Sequence, residues 1–250
     1  MTAKPKVITI IPARLASTRF PGKPLASIQG RPMIEHVYRR CRKIPFVDSV
    51  FVATDSSEIE KAVEAFGGKA LMTSAAHRSG TDRLAEAASI LGLEGSDIVL
   101  NVQGDQPALD PSHPSLIAQS LLSDRNLNMA TLAVPLTDKN EINDPNHVKV
   151  VFDDQGYALY FSRAPIPWPR DGQAGLFYKH IGLYGYTVEF LNKFVLWPVG
   201  VLEDLEKLEQ LRVLERGFKI KVLLAQGLSP EVDVPEDISK VEIALKASKS

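Results

Sequence analysis

The sequence has little cysteine, no excess of either charge and no long apolar run. Its one cysteine among 250 residues, Cys41, excludes an intramolecular disulfide framework and favours a reducing compartment. The formal net charge of −1, from 29 basic and 30 acidic residues, argues against bulk nucleic-acid binding, which needs a basic face. No segment reads as a membrane span, and the first residues lack the apolar core of a signal peptide. We therefore expect a cytoplasmic globular protein that binds neither nucleic acid nor membrane.

The order of apolar and polar segments indicates an α/β fold. Strand-like segments at 6–11, 49–54 and 97–102 alternate with helix-like segments such as 33–42 and 57–66. This alternation predicts a mainly parallel sheet that is covered by helices on both faces.

The second half has a different pattern. Segments 148–153 and 157–163 flank a Gly-containing turn and predict a hairpin, and 179–187 predicts a further strand. Leucines at every third position predict a single helix over 202–215, and a last helix is expected over 237–247. Because no linker is evident, residues 1–250 are expected to form one domain.

A basic loop follows the first predicted strand and contains Arg14, Arg19 and Lys23. Ligands bind at the carboxyl edge of open α/β sheets, and charge-assisted hydrogen bonds from such cations suit a polyphosphate. The same cations could instead serve only solubility. The loop matches neither the Walker motif nor the Gly-x-Gly-x-x-Gly turn, so any phosphate contact would come from its side chains and backbone.

Two aspartates are candidates for a metal site. Asp105 follows the strand at 97–102, at the same predicted edge as the basic loop, and Asp233 precedes the closing helix. Carboxylates together with substrate phosphates are the usual ligands of Mg²⁺. Both residues could instead be ordinary turn residues.

Three further positions could contact a ligand. Gly80 lies in a turn where the backbone could approach a flat ligand, although Ser79 or Thr81 could simply cap the following helix. Arg163 ends a strand and could pair with a carboxylate through two parallel hydrogen bonds. His180 could contact a ligand, or it could be structural.

With these residues in view, the chain resembles the 3-deoxy-D-manno-octulosonate (Kdo) cytidylyltransferases, also called CMP-Kdo synthetases, from about residue 6 to about residue 243. The motifs that carry the resemblance are PARLASTR at 12–19, PGKPL at 21–25, SGTDR at 79–83, NVQGD at 101–105, MATLAVP at 129–135, YALYFSR at 157–163, HIG at 180–182 and LEQLR at 208–212. The first loop alone is shared with sialic-acid activating enzymes, and the later motifs separate the two groups.

The resemblance implies a Rossmann-like nucleotidyltransferase fold, with a mainly parallel mixed sheet flanked by helices and a small β-rich dimerisation extension. Residues 1–135 would bind the nucleotide, and residues 136–250 would bind the sugar and form a homodimer. The implied reaction moves a cytidylyl group from CTP to the anomeric hydroxyl of Kdo and releases pyrophosphate. Its product, CMP-Kdo, would serve lipopolysaccharide biosynthesis.

The resemblance also implies roles for single residues. The CTP contacts would be Ala13, Arg14, Arg19, Lys23, Ser79, Gly80 and Arg83. The sugar contacts would be Gln103, Arg163, His180, Tyr184, Glu209 and Gln210, and Mg²⁺ would be held by Asp105 and Asp233. Arg14, Lys23 and Asp105 would be catalytic.

The sequence leaves the sugar open. Gln106 stands where Glu is frequent in the family, which leaves room for a modified sugar such as the 8-amino form of Kdo. Another acidic sugar is a second alternative. An alternative of another class is a sensor that binds CTP without turnover.

Overall fold

The computed structural model describes residues 4–16, 20–171 and 175–247. Its strands are β1 (Val7–Ala13), β2 (Ser27–Ile28), β3 (Arg31–Pro32), β4 (Ser49–Thr54), β5 (Ala70–Met72), β6 (Ile98–Asn101), β7 (Met129–Leu136), β8 (Lys149–Phe152), β9 (Ala158–Ser162), β10 (Phe177–Thr187) and β11 (Lys221–Leu224). Its helices are α1 (Met33–Cys41), α2 (Ser57–Ala65), α3 (Gly80–Ile90), α4 (Ser112–Ser123), α5 (Lys139–Asn143), α6 (Val188–Phe194), α7 (Val201–Glu206), α8 (Leu211–Glu215) and α9 (Asp237–Ala247).

One mixed sheet runs through both halves of the described chain. Its strand order is β11-β7-β10-β6-β1-β4-β5, with β8 joined to β10 and β9 joined to β8. The pairs β1·β4, β1·β6, β4·β5 and β11·β7 are parallel, whereas β10 runs antiparallel to β6 and β7. The carboxyl ends of β1, β4 and β6 therefore meet at one edge, as predicted.

The central strands are buried on both faces, which explains their continuous apolar sequences. In β1, Ile10 and Ile11 point to opposite faces, and neither is exposed. Ile11 packs in a cluster with apolar side chains of α1, α2 and α4, while Ile10 packs in a second cluster with those of α3 and α6. Helices thus cover both faces. None of the helices in the described ranges is both long and apolar enough to cross a bilayer.

The predicted alternation of the first half and the hairpin of β8 and β9 are confirmed. The prediction of a single helix over 202–215 is wrong. The chain forms two short helices, α7 and α8, and Lys207 between them adopts a left-handed conformation with φ of 53°. Helix α4 and strand β7 were not predicted as elements.

Candidate active site

A cavity of about 860 Å³ opens at the carboxyl edge of the sheet. This volume lies within the range typical of small-molecule sites. The predicted site residues that line it are Ala13, Arg14, Lys23, Ser79, Gly80, Arg83, Gln103, Asp105, His180, Tyr184, Glu209 and Gln210. Residues from both halves of the chain therefore share one cavity. Arg163 and Asp233 are not among the residues that line it, and Arg19 lies outside the described residues.

Lys23 joins the basic loop to two other segments. It enters a short 3-10 helix, Lys23–Leu25, after Gly22, whose φ of 71° is a left-handed conformation that glycine adopts without strain. Its Nζ donates to Asp105 Oδ2 at 2.7 Å and to the Val232 carbonyl at 2.9 Å. The backbone amide of Val232 in turn donates to the Asp105 carbonyl at 2.9 Å. These bonds bring the segment that contains Asp233 next to Asp105.

The carboxylates around this junction suit a divalent cation. Burial raises the pKa of Glu231, and the negative charges of Asp105 and Asp233 raise it further, so the three carboxyl groups lie close enough to repel one another. In the described part of the chain, no group of three His, Cys, Asp or Glu side chains could by itself hold a metal ion. Two aspartates with the remaining ligands from substrate phosphates are the arrangement that Mg²⁺ commonly takes. The residues present fit such an ion.

The turn before α3 places a helix N-terminus at the cavity. Ser79 is the N-cap: its Oγ accepts from the Asp82 amide at 3.1 Å, and Asp82 Oδ2 accepts from the Ser79 amide at 3.1 Å. This capping box settles which residue caps the helix and frees the Thr81 hydroxyl for another partner. A Cβ at Gly80 would lie 3.5 Å from Pro12, an ordinary contact, so Pro12 alone does not require glycine there.

Arg83 lines the cavity, but its guanidinium is already bonded within the protein. The residue is buried, and its nitrogens donate to Thr73 Oγ1 at 2.6 Å and to Asp55 Oδ2 at 3.0 Å. These bonds tie α3 to the chain that follows β4 and to the end of β5. In this conformation Arg83 stabilises the wall of the cavity.

His77 also lines the cavity and was given no role by the sequence analysis. Its Nε2 lies in close contact with Glu86 Oε2, and the same oxygen accepts from the Ser74 amide at 2.8 Å. The hydrogen bonds from His77 and Ser74 lower the pKa of Glu86. The pair orients the imidazole beside the Ser79 turn. In the sequence, the position of His77 two residues before the Ser79 cap could have indicated that it lies near the site.

A polar wall forms the opposite side of the cavity. Thr81 Oγ1 donates to Glu209 Oε2 at 2.5 Å, and Arg212 NH2 lies 3.6 Å from Glu209 Oε1. Burial raises the pKa of Glu209, although the bond from Thr81 opposes that shift. Asn101 Oδ1 and Gln210 Nε2 are buried in this wall and have no hydrogen-bond partner within the described ranges. An unpaired buried polar atom costs about 1–3 kcal/mol, so these two atoms are suited to bind polar groups of a ligand in the cavity.

His180 and Tyr184 lie together on β10, with ring centroids 5.4 Å apart. Burial lowers the pKa of His180 to about 3, so its imidazole is neutral at physiological pH. Gln103 Nε2 donates to the Gly182 carbonyl at 3.2 Å, which connects the loop after β6 to β10. This part of the wall is uncharged and offers hydrogen bonds rather than ion pairs.

Arg163 is held away from the cavity. Its Nε donates to the Glu206 carbonyl at 2.7 Å, its NH1 donates to the Pro145 carbonyl at 2.8 Å, and its backbone amide donates to Glu206 Oε2 at 2.9 Å. Contact between Arg163 and a ligand carboxylate stays a prediction and would require exchange of these bonds.

Three polar residues inside apolar strands belong to the site but were not predicted from the sequence. Asn101 and Tyr186 line the cavity, and Thr131 lies beside His180. A polar side chain within an otherwise buried apolar segment is a signal that the sequence already contained.

Comparisons with known proteins agree with this geometry. Residues 8–220 match the family model described as cytidylyltransferase. The chain is 54% identical over 242 residues to the 3-deoxy-manno-octulosonate cytidylyltransferase of Desulfatibacillum aliphaticivorans, covering 96% of this chain and 99% of that protein. It is 53% identical over 241 residues to the 8-amino-3,8-dideoxy-manno-octulosonate cytidylyltransferase of Shewanella frigidimarina, covering 96% and 98%.

Solved structures show the same likeness. The structure of a CMP:2-keto-3-deoxy-manno-octonic acid synthetase complexed with CTP superposes with a TM-score of 0.92 at 42% identity, covering 98% of this chain and all of that chain. A 4-diphosphocytidyl-2C-methyl-D-erythritol synthase superposes with a TM-score of 0.66 at 15% identity over 98% of this chain and 100% of that one, a likeness of fold alone.

Proposed function

The chain belongs to the cytidylyltransferase family, and from this we propose that it transfers the cytidylyl group of CTP to the anomeric hydroxyl of a Kdo-type sugar acid and releases pyrophosphate. Kdo and its 8-amino form are the two candidate acceptors, because relatives named for each are similarly identical to this chain. The observation that carries the proposal is the single cavity in which the basic loop, the Ser79 turn and the polar wall meet. The product would serve lipopolysaccharide biosynthesis.

The nucleotide would occupy the side of the cavity formed by the first half of the chain. Arg14 and Lys23 supply positive charge for the triphosphate, with Ala13 beside them and Arg19 on the same loop. The turn at Ser79 and Gly80 would contact the cytosine, and Arg83 supports that turn. Cationic donors that are already in place stabilise charge as it develops on a transferring phosphoryl group.

The sugar acid would occupy the side formed by β10 and the segment between α7 and α8. Gln103, His180, Tyr184, Glu209 and Gln210 present hydrogen-bonding groups there. We assign the sugar carboxylate to Arg163, which would leave the carbonyls of Glu206 and Pro145 to reach it. Alignment of both substrates in one cavity makes the transfer effectively unimolecular, which can contribute roughly 7–11 kcal/mol to lowering the barrier.

We also propose that Asp105 and Asp233 hold Mg²⁺ with the triphosphate. When bound, the ion would neutralise phosphate charge and favour ionisation of the attacking hydroxyl. Lys23 now compensates the charge of Asp105 at 2.7 Å. Its Nζ could turn to the triphosphate once that compensation is no longer needed, so the residue would serve both partners.

A homodimer is proposed from the apolar surface of the second half. Leu159, Trp168, Leu196 and Leu205 are between 62% and 82% exposed, whereas the large apolar side chains of residues 1–135 do not exceed 52% exposure in the described ranges. Large apolar side chains exposed to this degree are typical of surfaces that another protein chain covers. Sedimentation of the chain as a dimer, and of a Leu205→Glu variant as a monomer, is the expected result. A monomeric parent chain would contradict the assignment.

We place the protein in the cytoplasm, where CTP is available. Its lone cysteine, Cys41, is buried in the core and needs no oxidising compartment.

Pyrophosphate release measured with a panel of nucleotides and sugar acids tests the proposed reaction. We expect release with CTP and either Kdo or 8-amino-Kdo, and none with ATP or with a neutral sugar. The ratio of kcat/KM for the two acceptors identifies the natural sugar. Binding of CTP without release in the presence of either acceptor would favour the sensor alternative.

A further inference from the structure

Strand β10 contains an irregularity directly beside the cavity. Its pairing with β7 matches Ile181 to Leu132 and then Tyr184 to Thr131, so Gly182 and Leu183 have no counterpart in the register. Bulges of this kind re-aim side chains next to active sites. Here the bulge lies between His180 and Tyr184, and the carbonyls of Ile181 and Leu183 at the bulge accept from a side chain of β7.

The Thr131 hydroxyl satisfies these carbonyls. Thr131 is fully buried, and its Oγ1 lies 2.8 Å from the Leu183 carbonyl and 3.2 Å from the Ile181 carbonyl. It also lies 3.0 Å from His180 Nε2. A hydroxyl has one proton to donate, and a carbonyl can only accept. If that proton pointed at His180 Nε2 instead, the oxygens of Thr131 and Leu183 would face each other at 2.8 Å with no proton between them. The proton of Thr131 therefore points at the carbonyls, with Leu183 the nearer one.

In the contact between Thr131 and His180, the imidazole must then be the donor. Because the Thr131 proton is already used, Oγ1 can only accept from His180, which requires a proton on Nε2. Burial keeps the imidazole neutral, so the ring carries a single proton. Nδ1 is left with a bare lone pair. No protein group in the described ranges donates to Nδ1, and His180 lines the cavity.

We propose that Thr131 is a positioning residue that fixes His180 as the Nε2-protonated tautomer, so that His180 Nδ1 accepts a hydrogen bond from a hydroxyl group of the sugar acid. The role of the sugar in this inference rests on the proposed function, but the tautomer does not. A neutral ring with an exposed lone pair would repel a carboxylate. It would select a donor, and the hydroxyl groups of a sugar are donors.

Nitrogen-15 NMR of the histidine-labelled full chain tests the tautomer directly. His180 is assigned by the resonance that a His180→Gln variant loses among the 5 histidines. We expect Nε2 to show the shift of a protonated nitrogen and Nδ1 that of an unprotonated one. Thr131→Val, of similar shape, should give a mixture of tautomers, and Thr131→Ser should restore the original one. A proton on Nδ1 in the parent chain would overturn the proposal.

Steady-state kinetics then test what the tautomer does. Thr131→Val should raise KM for the sugar acid about twofold or more, with KM for CTP unchanged, because only the molecules with the Nε2-protonated ring can accept the sugar hydroxyl. Thr131→Ser should return KM to the parent value. An unchanged KM for the sugar in the valine variant, with the tautomer altered, would show that His180 Nδ1 does not contact the sugar.

The two proposals can fail separately. If the parent chain releases no pyrophosphate with any sugar acid, the proposed reaction fails while the NMR result still decides the tautomer. If Thr131→Val does not fold, the parent spectrum and Thr131→Ser remain informative, since the serine variant must keep the parent tautomer.

Discussion

The two sides of the cavity are built differently. On the nucleotide side, Lys23 and Asp105 lie in the loops that follow β1 and β6 and are joined by a direct ion pair, and Ser79 is fixed as the N-cap of α3 by Asp82. On the sugar side, His180 is aimed by a bulge, and Glu209 lies between two short helices. The positions of the first group follow from strand ends and a helix cap that the sequence indicates, whereas those of the second depend on tertiary packing that it does not indicate.

Among the substitutions considered, Asp105→Ala on the nucleotide side should reduce activity most. It removes a proposed metal ligand and the partner of Lys23 at 2.7 Å, so we expect turnover to fall on the order of 10³-fold or more. Pyrophosphate release measures the loss. Asp154→Ala, in the exposed turn between β8 and β9, is the matched control and should keep full activity. Near-parent activity of Asp105→Ala would remove Asp105 from the metal site.

A buried arginine on each side sharpens the comparison. Arg212 forms two bonds with Glu203, at 2.5 and 2.6 Å, and both side chains are nearly buried. Arg83 has a single bond to Asp55, at 3.0 Å, and a second to a threonine. Glu203→Ala should therefore cost about 3–5 kcal/mol of unfolding free energy, because it removes both short bonds to the buried guanidinium of Arg212 and leaves it with the more distant carboxylate of Glu209, at 3.6 Å. Asp55→Ala should cost about 1–3 kcal/mol.

Urea unfolding at neutral pH measures both losses. Asp204→Ala, which removes an exposed carboxylate next to Glu203, is the control and should change stability by less than about 1 kcal/mol. Equal losses for Glu203→Ala and Asp55→Ala would show that the two sides are held with similar strength.

The same contrast explains what the sequence could predict. The alternation of strands and helices, the carboxyl edge and the residues that line the cavity on the nucleotide side follow from periodicity and motifs. The break in the 202–215 segment does not. Residues nine apart in one helix lie roughly 13 Å apart along its axis, so Arg212 could not reach Glu203 without the break. Leucine spacing carries no information about that ion pair.

The sequence pattern also gave no indication of the bulge in β10. A regular strand would place His180 and Tyr184 on one face, and both do line the cavity. Their arrangement depends on Thr131 of β7, 49 residues away in the chain. Strand β7 was missed as an element because it is almost wholly buried and lacks the alternation of a half-exposed strand.

The smallest expected difference between the two sides is in the pH dependence of stability, because the pKa values of two carboxyl groups are shifted in opposite directions. On the nucleotide side, hydrogen bonds from His77 and Ser74 lower the pKa of Glu86. Glu86 thus contributes stability that is present above its ordinary pKa and is lost as pH falls through the lowered value. On the sugar side, burial raises the pKa of Glu209. Its contribution is present below the ordinary pKa and is lost as pH rises through the raised value.

Unfolding free energies of Glu86→Gln and Glu209→Gln, compared with the parent chain from about pH 4 to about pH 7, should therefore change with opposite slopes. As pH rises, the parent should gain stability relative to Glu86→Gln and lose it relative to Glu209→Gln. Both changes should stay below about 1 kcal/mol, because each side chain is about one-third exposed and solvent screens its charge. Thr81, Ser79, Arg212 and Glu203 also act on the pKa of Glu209, so Ser79→Ala gives a further test. It should weaken the cap of α3 at every pH. Because it also removes a hydrogen bond that lowers the pKa of Glu209, it should make the loss of stability with rising pH steeper. Slopes of the same sign for the two glutamine variants would mean that hydrogen bonding, rather than burial, dominates on both sides of the cavity.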